Sequence, residues 1–375
     1  MNLPHASAAQ ANMGLINWPP EYRALRETAG IFDLSTRSRI CLIGNDRVRF
    51  LHGQITNDIK KLGIGEGCYA AIVTAKGKME SDVNVFNLQD ELLLDFEPGL
   101  ASKIIARLEK FIVADDVQIV DATPHYGLLS VQGPKAADVV KSLGLFSEIP
   151  DKPLASMKIS EANFGEIYLV NNPRLLIPGR SRGNEAQINE KSETPDVVSY
   201  NYQTGFDVFV PINSLSTLNE QLLAAAKKNG GYAAGETAFE TARIEAGVPR
   251  FGVDMDETNI PLECGIENRA VSYKKGCYIG QEVINRIHSI GHVNKELRGL
   301  RLADDLKTLP VRGDKLFRDG KEAGYVTSAV KSPTLNANIA LGYVRREAFQ
   351  IGNKLMVRTQ AGESAAVIME LPFVK

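Results

Sequence analysis

Short runs dominated by hydrophobic residues follow one another through the first third of the chain. The runs at residues 68–75, 82–88 and 91–96 have the length and the composition that are typical of β-strands. The turn Lys76-Gly77-Lys78 separates the first two runs, so the sequence predicts a hairpin there. Residues 101–112 instead repeat hydrophobic positions at helical spacing, which predicts an amphipathic helix with an apolar stripe at Ile104, Ile105, Leu108 and Ile112.

Helices and strands alternate in short units along much of the remaining chain. Residues 45–52 are predicted to form a helix that Asn45 caps, and residues 213–228 form a longer amphipathic helix in the prediction. Residues 235–246 are predicted to add another. From about residue 298 onward short strands and turns dominate, which is typical of a small β-barrel. The pattern therefore predicts an α+β fold with sheets covered on one face, followed by a barrel.

Two segments do not fit this alternation. Residues 179–197 are polar and charged with almost nothing to bury, so we expect an exposed, mobile loop. His288 and His292 have a spacing that can bind a metal on a helix, but Gly291 is expected to break the helix between them. We therefore predict no metal site.

Composition narrows the class of protein. The chain has 375 residues, enough for two or three domains, and a formal net charge of -2, which gives no general attraction to nucleic acid or anionic lipid. It contains no apolar run of about 18 residues and no secretory signal pattern, so we expect no membrane span and a cytoplasmic location. Its four cysteines lack paired Cys-x-x-Cys spacing, which argues against a disulfide framework or a self-contained zinc or iron–sulfur site.

The strongest chemical signal lies at residues 274–282, Lys-Lys-Gly-Cys-Tyr-Ile-Gly-Gln-Glu. Lys274 and Lys275 favour the thiolate form of Cys277, and partial positive charge at a predicted helix start nearby adds to this effect. Such a thiol is suited to react or to contact a ligand, although the same residues also fit a structural loop with a buried cysteine. Besides Cys277, we single out Lys275, Gly276, Tyr278, Gly280, Gln281 and Glu282 as residues of this motif.

The motif resembles the signature of the YgfZ-type folate-binding proteins, which are related to the glycine-cleavage T-protein, an aminomethyltransferase. The resemblance covers nearly the whole chain, as five blocks in the expected order. Besides the motif, the blocks are Phe50 to Asp58, Ala75 to Met79, Ala242 to Gly247 with Phe251 to Asp256, and Gly324 to Ser328 with Ala340 to Val344.

The resemblance implies a three-domain fold around a central folate cavity. Two interleaved α+β sheet domains would comprise residues 1–48 with 124–233, and residues 49–123 with 234–292. A C-terminal β-barrel domain would comprise residues 293–375. Periodicity alone does not predict this interleaving.

A folate pocket needs a carboxylate for the amino and N–H edge of the pterin, a flat wall for its face and a cation for its glutamate tail. The resemblance assigns Asp82 to the reactive nitrogens of tetrahydrofolate, or of a one-carbon-substituted folate. It assigns Asp207 to the pterin edge, where the family has a longer glutamate. Tyr69 matches a tyrosine that lines the same cavity, and Arg243 matches an arginine of the middle block. Ordinary structural roles remain the alternative for each of them.

One position departs from the T-protein pattern. T-proteins carry Ala-Arg-Asp one turn before the Arg-x-Glu-Ala-Gly block, and that arginine contacts the folate. Here Phe239 replaces it, and a phenylalanine supplies neither charge nor a hydrogen-bond donor. The change argues against the glycine-cleavage reaction but leaves folate binding in place.

The first interpretation is a tetrahydrofolate-binding protein of the YgfZ type, with Cys277 as its reactive residue. Such proteins support iron–sulfur cluster assembly or repair and the maturation of tRNA-modifying enzymes, so the expected partners are folate and iron–sulfur assembly or client proteins. The alternative is an aminomethyltransferase that passes a one-carbon unit from a lipoyl arm to tetrahydrofolate. A third is a binding scaffold without chemistry, in which Cys277 is inert.

Overall fold

The computed structural model describes residues 18–175 and 204–374, so the loop expected at 179–197 lies outside the described residues. No helix in these two ranges combines the length and the apolar composition that crossing a membrane requires. The helices of the described part are α1 Pro20–Glu27, α2 Arg47–Gln54, α3 Ala101–Glu109, α4 Ala136–Ser142, α5 Leu215–Lys228, α6 Glu236–Glu245, α7 Glu267–Ala270 and α8 Gln281–Ile290.

The strands form two open sheets and one closed barrel. In chain order they are β1 Gly30–Asp33, β2 Ser38–Ile43, β3 Gly67–Val73, β4 Met79–Asn87, β5 Leu92–Phe96, β6 Gln118–Asp121, β7 Tyr126–Gln132, β8 Ser156–Glu161, β9 Gly165–Asn171, β10 Gly205–Pro211, β11 Tyr232–Ala233, β12 Lys295–Leu302, β13 Lys315–Arg318, β14 Lys321–Ser332, β15 Ala337–Arg345, β16 Lys354–Thr359 and β17 Gly362–Met369.

The first sheet has the strand order β11-β1-β7-β10-β9-β8. Its apolar face is covered by α4 and α5. The latter helix presents Leu218, Leu222, Ala225 and Ala226 on one stripe, because these positions are separated by about one or two helical turns. The helix predicted at 213–228 is thus confirmed, and it begins after a short 3-10 turn.

The second sheet has the order β3-β4-β5-β2-β6 and contains the predicted hairpin, β3 and β4. Leu51 of α2 and Ile104 and Leu108 of α3 pack on it. The predicted cap of α2 is wrong: the Asn45 side chain donates to Asp116 instead, and the helix starts at Arg47 without a side-chain cap.

The two sheets are interleaved in the chain, since β2 to β6 all lie between β1 and β7. Their facing surfaces share one apolar cluster, which includes Phe86, Leu128 and Phe209. Residues 38–43, which the predicted division placed with the first sheet domain, pair in the second sheet. The exact domain limits remain a prediction.

Six strands, β12 to β17, close into a barrel, as the pattern of short strands predicted. The barrel packs against the second sheet and α8 through a cluster that includes Val73, Ile284 and Leu341. The last residues leave the barrel and return to α6, where the Phe373 amide donates to the Glu245 carbonyl. The α+β fold with a C-terminal barrel is therefore confirmed.

Candidate functional site

A cavity of about 930 Å³ lies where the two sheets, α6 and the C-terminal segment meet. Apolar and aromatic surface on its wall alternates with charged side chains. A volume of this size is typical of sites for small molecules and cofactors. Its lining includes Phe32, Tyr69, Asp82, Phe239, Arg250 and Leu371.

Asp82 and Tyr69 lie side by side on this wall because β3 and β4 pair antiparallel. The register aligns Tyr69 with Asn84 and Ala71 with Asp82, so Tyr69 and Asp82 are diagonal neighbours on one face of the sheet. The Tyr69 hydroxyl donates to Asp82 Oδ2 at 2.8 Å. The structure thus brings together two of the residues that the sequence singled out.

The Asp82 carboxyl has an unusual acidity for an aspartate. Desolvation by burial, followed by repulsion from Glu97, raises the pKa of Asp82 to about 6. Burial and the neighbouring Asp82 charge also raise the pKa of Tyr69 well above its ordinary value. A carboxyl that titrates close to neutral pH can accept a proton in one step and return it in another, so Asp82 is the candidate acid–base group.

Asp207 lies behind the cavity wall rather than among its lining residues. Its side chain is fully buried, and its oxygens accept hydrogen bonds from Arg174 Nε at 2.9 and 3.0 Å and from Asn172 Nδ2 at 2.7 Å. Arg174 and Asn172 do line the cavity. The contacts of Asp207 are therefore those of a residue that positions Arg174, and its direct contact with a pterin edge stays a prediction.

Arg174 begins a chain of alternating charges along the cavity wall, in which Asp95 lies behind the lining residues. Its Nη2 donates to Asp95 at 3.0 Å, and Arg37 Nε donates to the same carboxylate at 2.9 Å. Arg37 also pairs with Glu97, to which Arg250 Nε donates at 2.8 Å. Burial alone would raise the pKa of Asp95, but the two arginines outweigh it and lower the pKa to about 2. These charges are thus held ionised and fixed in place.

Arg243 reaches the cavity wall, but its donors are engaged within the protein. Its guanidinium contacts Glu240, the Val248 carbonyl and Asp254, the last at 2.7 Å. Asp254 in turn accepts the Thr327 hydroxyl of the barrel at 2.6 Å. These contacts connect α6 to the barrel, which supports a structural role; folate binding by Arg243 stays a prediction.

Phe239 lies one turn before Arg243 on α6 and faces the cavity. Its ring meets Phe32 edge-on, with centroids 5.2 Å apart and planes at 81°. The position that carries an arginine in T-proteins therefore contributes an aromatic wall here.

Cys277 is exposed and does not line the cavity. It lies in the segment before α8, where Gly280 has a φ of 86° and where a Cβ would lie 2.5 Å from the Thr74 carbonyl oxygen. Only glycine fits that conformation and that close approach. The conformation of Gly280 thus sets the direction in which the segment enters α8. The helix begins at Gln281, followed by Glu282, as the sequence predicted.

Lys275 is the buried residue of the motif. Its Nζ donates to the carbonyls of His52 at 2.6 Å, Ile55 at 2.8 Å and Asn57 at 2.9 Å, and it lies 4.9 Å from the centre of the buried Tyr278 ring. The carbonyls lie at and just beyond the end of α2, where no further helical turn satisfies them. The ammonium of Lys275 is thus directed at backbone, and the exposed backbone of Gly276 separates it from Cys277 in the chain.

The remaining cysteines are less accessible. Cys41 is buried, as its apolar strand context predicted, and Cys264 is buried as well. Cys68 lines the cavity, and burial raises its pKa to about 12. Within residues 18–175 and 204–374 no group of three or more His, Cys, Asp or Glu side chains is arranged to hold a metal ion, and His288 stacks on Tyr273.

Sequence reasoning missed Arg37 and Arg174, the two arginines of the cavity wall that share one buried carboxylate. Arg37 follows β1 and Arg174 follows β9, two strands of the first sheet, and nothing in the local sequence of either arginine distinguishes it from a solvated loop cation. Their shared partner Asp95 stands in a hydrophobic run, Leu-Leu-Leu-Asp-Phe. A charge inside such a run was the available signal, because a buried charge requires a partner.

Two family models match the chain. The GCVT N-terminal domain matches residues 16–171 and 185–275, and the glycine cleavage T-protein C-terminal barrel domain matches residues 295–375. Together they cover most of the chain.

Several relatives are similar over almost their whole length. The aminomethyltransferase of Geobacillus thermodenitrificans is 29% identical over 357 residues, which is 95% of this chain and 89% of the relative. That of Bacillus subtilis is 26% identical over 356 residues, which is 95% of this chain and 90% of the relative. The crystal structure of the glycine cleavage system aminomethyltransferase T from Bartonella henselae superposes with a TM-score of 0.76 at 23% identity, over 94% of this chain and 88% of that one. The last comparison shows a shared fold.

Proposed function

We propose, because this chain belongs to the glycine cleavage T-protein family, that its cavity binds a reduced folate and that Asp82 is the acid–base group of a one-carbon transfer. The observation that carries this proposal is the Asp82 carboxyl itself. It lies on the wall of a 930 Å³ cavity, is oriented by Tyr69 and has a pKa of about 6.

The wall residues fit the chemical features of tetrahydrofolate. Phe239 and Phe32 offer an apolar aromatic wall for a flat ring. Asp82 supplies a carboxylate acceptor for an N–H group, and arginines on the same wall, among them Arg174 and Arg269, supply guanidinium groups. This combination of carboxylate, flat wall and cation supports the proposal.

When bound, the folate supplies the nitrogen atoms that take up a one-carbon unit. The protein's own contribution is to orient the ligand and to move a proton. Tyr69 holds the carboxyl of Asp82 through Oδ2, which keeps the carboxyl in one orientation. Because its pKa lies near neutrality, Asp82 can take a proton from a ligand amine and later release it.

The first candidate activity is transfer of an aminomethyl-derived one-carbon unit to tetrahydrofolate. The names of the relatives support it, since those proteins are aminomethyltransferases. Phe239 argues that any such transfer uses ligand contacts different from those of T-proteins that carry an arginine there.

The second candidate is the YgfZ-type function, which supports iron–sulfur cluster assembly or repair and the maturation of tRNA-modifying enzymes. The observation that favours it is the exposed Cys277, which lies outside the cavity in a segment anchored by Lys275. On this proposal folate occupies the cavity while Cys277 contacts an iron–sulfur assembly or client protein.

One experiment separates the candidates. Calorimetry measures tetrahydrofolate binding to the purified wild-type chain, to Asp82→Asn and to the control Glu257→Gln. In the wild type the Glu257 carboxylate pairs with Lys103 away from the cavity. A parallel assay measures transfer from an aminomethylated lipoyl carrier. Binding with enzyme-like transfer selects the first candidate, and binding without transfer selects the second. Absence of folate binding would refute both, and unchanged binding in Asp82→Asn would refute the assigned site.

A further inference from the structure

The arginines on the cavity wall differ in how they are neutralised. Four of them form ion pairs with carboxylates, as described above: Arg37, Arg174, Arg243 and Arg250. Arg269 lines the same cavity, and within residues 18–175 and 204–374 it forms no ion pair with an Asp or Glu side chain. An arginine that lines a pocket without a protein carboxylate has N–H donors available for a carboxylate of a ligand.

The position of Arg269 is fixed by its surroundings. Its guanidinium carbon lies 4.9 Å from the centre of the Tyr69 ring. Asn57 Nδ2 donates both to the Tyr69 carbonyl and to the Arg269 carbonyl, each at 2.8 Å. One amide thus holds the backbone of both partners. A guanidinium stacked on an aromatic face keeps its N–H donors around the edge of its plane, where they match a carboxylate.

Tyr69 relates this guanidinium to the candidate acid–base group. The ring of Tyr69 lies beneath Arg269, and its hydroxyl donates to Asp82. Asp82 therefore lies at the hydroxyl of Tyr69, and Arg269 lies over the ring of the same tyrosine. A ligand that carries amine nitrogens at one end and carboxylates at the other matches this order of groups.

We infer that Arg269 is the anion subsite of the cavity and binds a carboxylate of the glutamate tail of a reduced folate. The inference rests on the proposed function, because it takes folate as the ligand. It goes further because it assigns a residue to the tail. It also implies that the cavity discriminates between folates that carry the glutamate carboxylates and pteroyl amides that carry no carboxylate.

A cycle of two ligands and two proteins tests this subsite. Calorimetry measures the binding of tetrahydrofolate and of tetrahydropteroyl amide, which has neither the glutamate nor any other carboxylate, to the wild type and to Arg269→Gln. The wild type is expected to bind tetrahydrofolate about ten- to a hundredfold more tightly than tetrahydropteroyl amide, as one charge-assisted contact implies. Arg269→Gln should lose this preference and bind tetrahydropteroyl amide as the wild type does.

Two further variants complete the design. Arg269→Lys keeps the charge but not the planar donor edge, so it should retain part of the preference even if Arg269→Gln folds poorly. Arg312→Gln removes a surface guanidinium that pairs with Asp256, and it should leave the preference unchanged. Higher salt should weaken the preference of the wild type and have little effect on Arg269→Gln.

The outcomes distinguish this inference from the proposed function. If Arg269→Gln binds both ligands with wild-type affinities, or weakens both by the same factor, Arg269 does not bind the tail, while folate binding stands. If the wild type binds neither ligand, the proposed function fails and the subsite fails with it.

Discussion

Replacing Lys275 by methionine should destabilise the protein, whereas the same change at Lys274 should not. Lys275 Nζ is buried and donates to three backbone carbonyls, those of His52, Ile55 and Asn57. Lys274 is exposed. The two lysines are neighbours in the chain, so the pair separates the effect of burial and hydrogen bonding from the effect of charge near Cys277.

The expected magnitude follows from what the methionine leaves behind. Three carbonyl acceptors lose a charged donor, and a buried acceptor without a partner costs roughly 1–3 kcal/mol. Removing the ammonium also removes the penalty of burying it, which offsets part of that loss. We therefore expect Lys275→Met to lose about 2–4 kcal/mol of unfolding free energy, and Lys274→Met to change it by less than about 0.5 kcal/mol. A chain of 375 residues has an unfolding entropy of about 0.8 kcal/mol per degree, so the corresponding fall in Tm for Lys275→Met is about 3–5 °C.

The pH dependence gives an independent check. Burial lowers the pKa of Lys275 to about 8 from its ordinary 10.5, so the amine is still protonated at pH 7. Between the folded pKa of about 8 and the ordinary value of 10.5, the unfolded chain binds more protons than the folded one. The free energy of unfolding therefore rises with pH across that window. Lys275→Met should lack this rise, and Lys274→Met should keep it.

Urea unfolding at pH 7 and at intervals up to pH 10 measures both quantities. Equal stability of Lys275→Met and Lys274→Met at pH 7 would show that the three hydrogen bonds of Lys275 do not stabilise the fold. A stability rise that persists in Lys275→Met would show that another group causes it.

Three further outcomes are expected. Asp82→Asn should weaken folate binding about ten- to a hundredfold. The folded pKa of Asp82, about 6, exceeds the ordinary 3.8, so the stability of the wild type falls as pH rises from 3.8 to 6. Urea unfolding of Asp82→Asn should not show this fall. Asp207→Ala should lower both Tm and folate affinity, because it removes one of the carboxylates that pair with the buried guanidinium of Arg174. Thermal melts and calorimetry measure the two quantities, and a loss of affinity without a fall in Tm would contradict this prediction. Cys277→Ser should fold and bind folate yet fail to restore iron–sulfur enzyme activity in a deletion strain; full complementation, or faster alkylation of another cysteine, would make the thiol structural.

The sequence predicted those parts of the site that depend on neighbouring strands. The hairpin of β3 and β4 followed from two hydrophobic runs around a glycine turn, and its register alone places Tyr69 next to Asp82. The barrel was equally predictable, because it consists of short strands that are consecutive in the chain. Local pattern and short connections carry this information.

Contacts between distant segments were not predictable in the same way. Asp207 matched a family ligand, but alternation along β10 does not reveal that Arg174 occupies both of its oxygens. Lys275 was expected to act on the neighbouring thiol through its charge. The structure instead directs its ammonium to carbonyls more than 200 residues earlier in the chain, since burial of an ammonium requires acceptors.

Lys275 and the cavity wall share one intermediary, Asn57. Its carbonyl accepts from Lys275 Nζ, while its side chain donates to the backbone of Tyr69 and Arg269. The motif around Cys277 therefore supports the part of the wall where Asp82 and the proposed tail subsite lie, although Cys277 itself is exposed outside the cavity. A loss of folate binding on changing the motif does not require contact between the thiol and the folate, because displacement of Asn57 would act on Tyr69 directly. Only variants that change Cys277 and leave Lys275 in place report on the thiol.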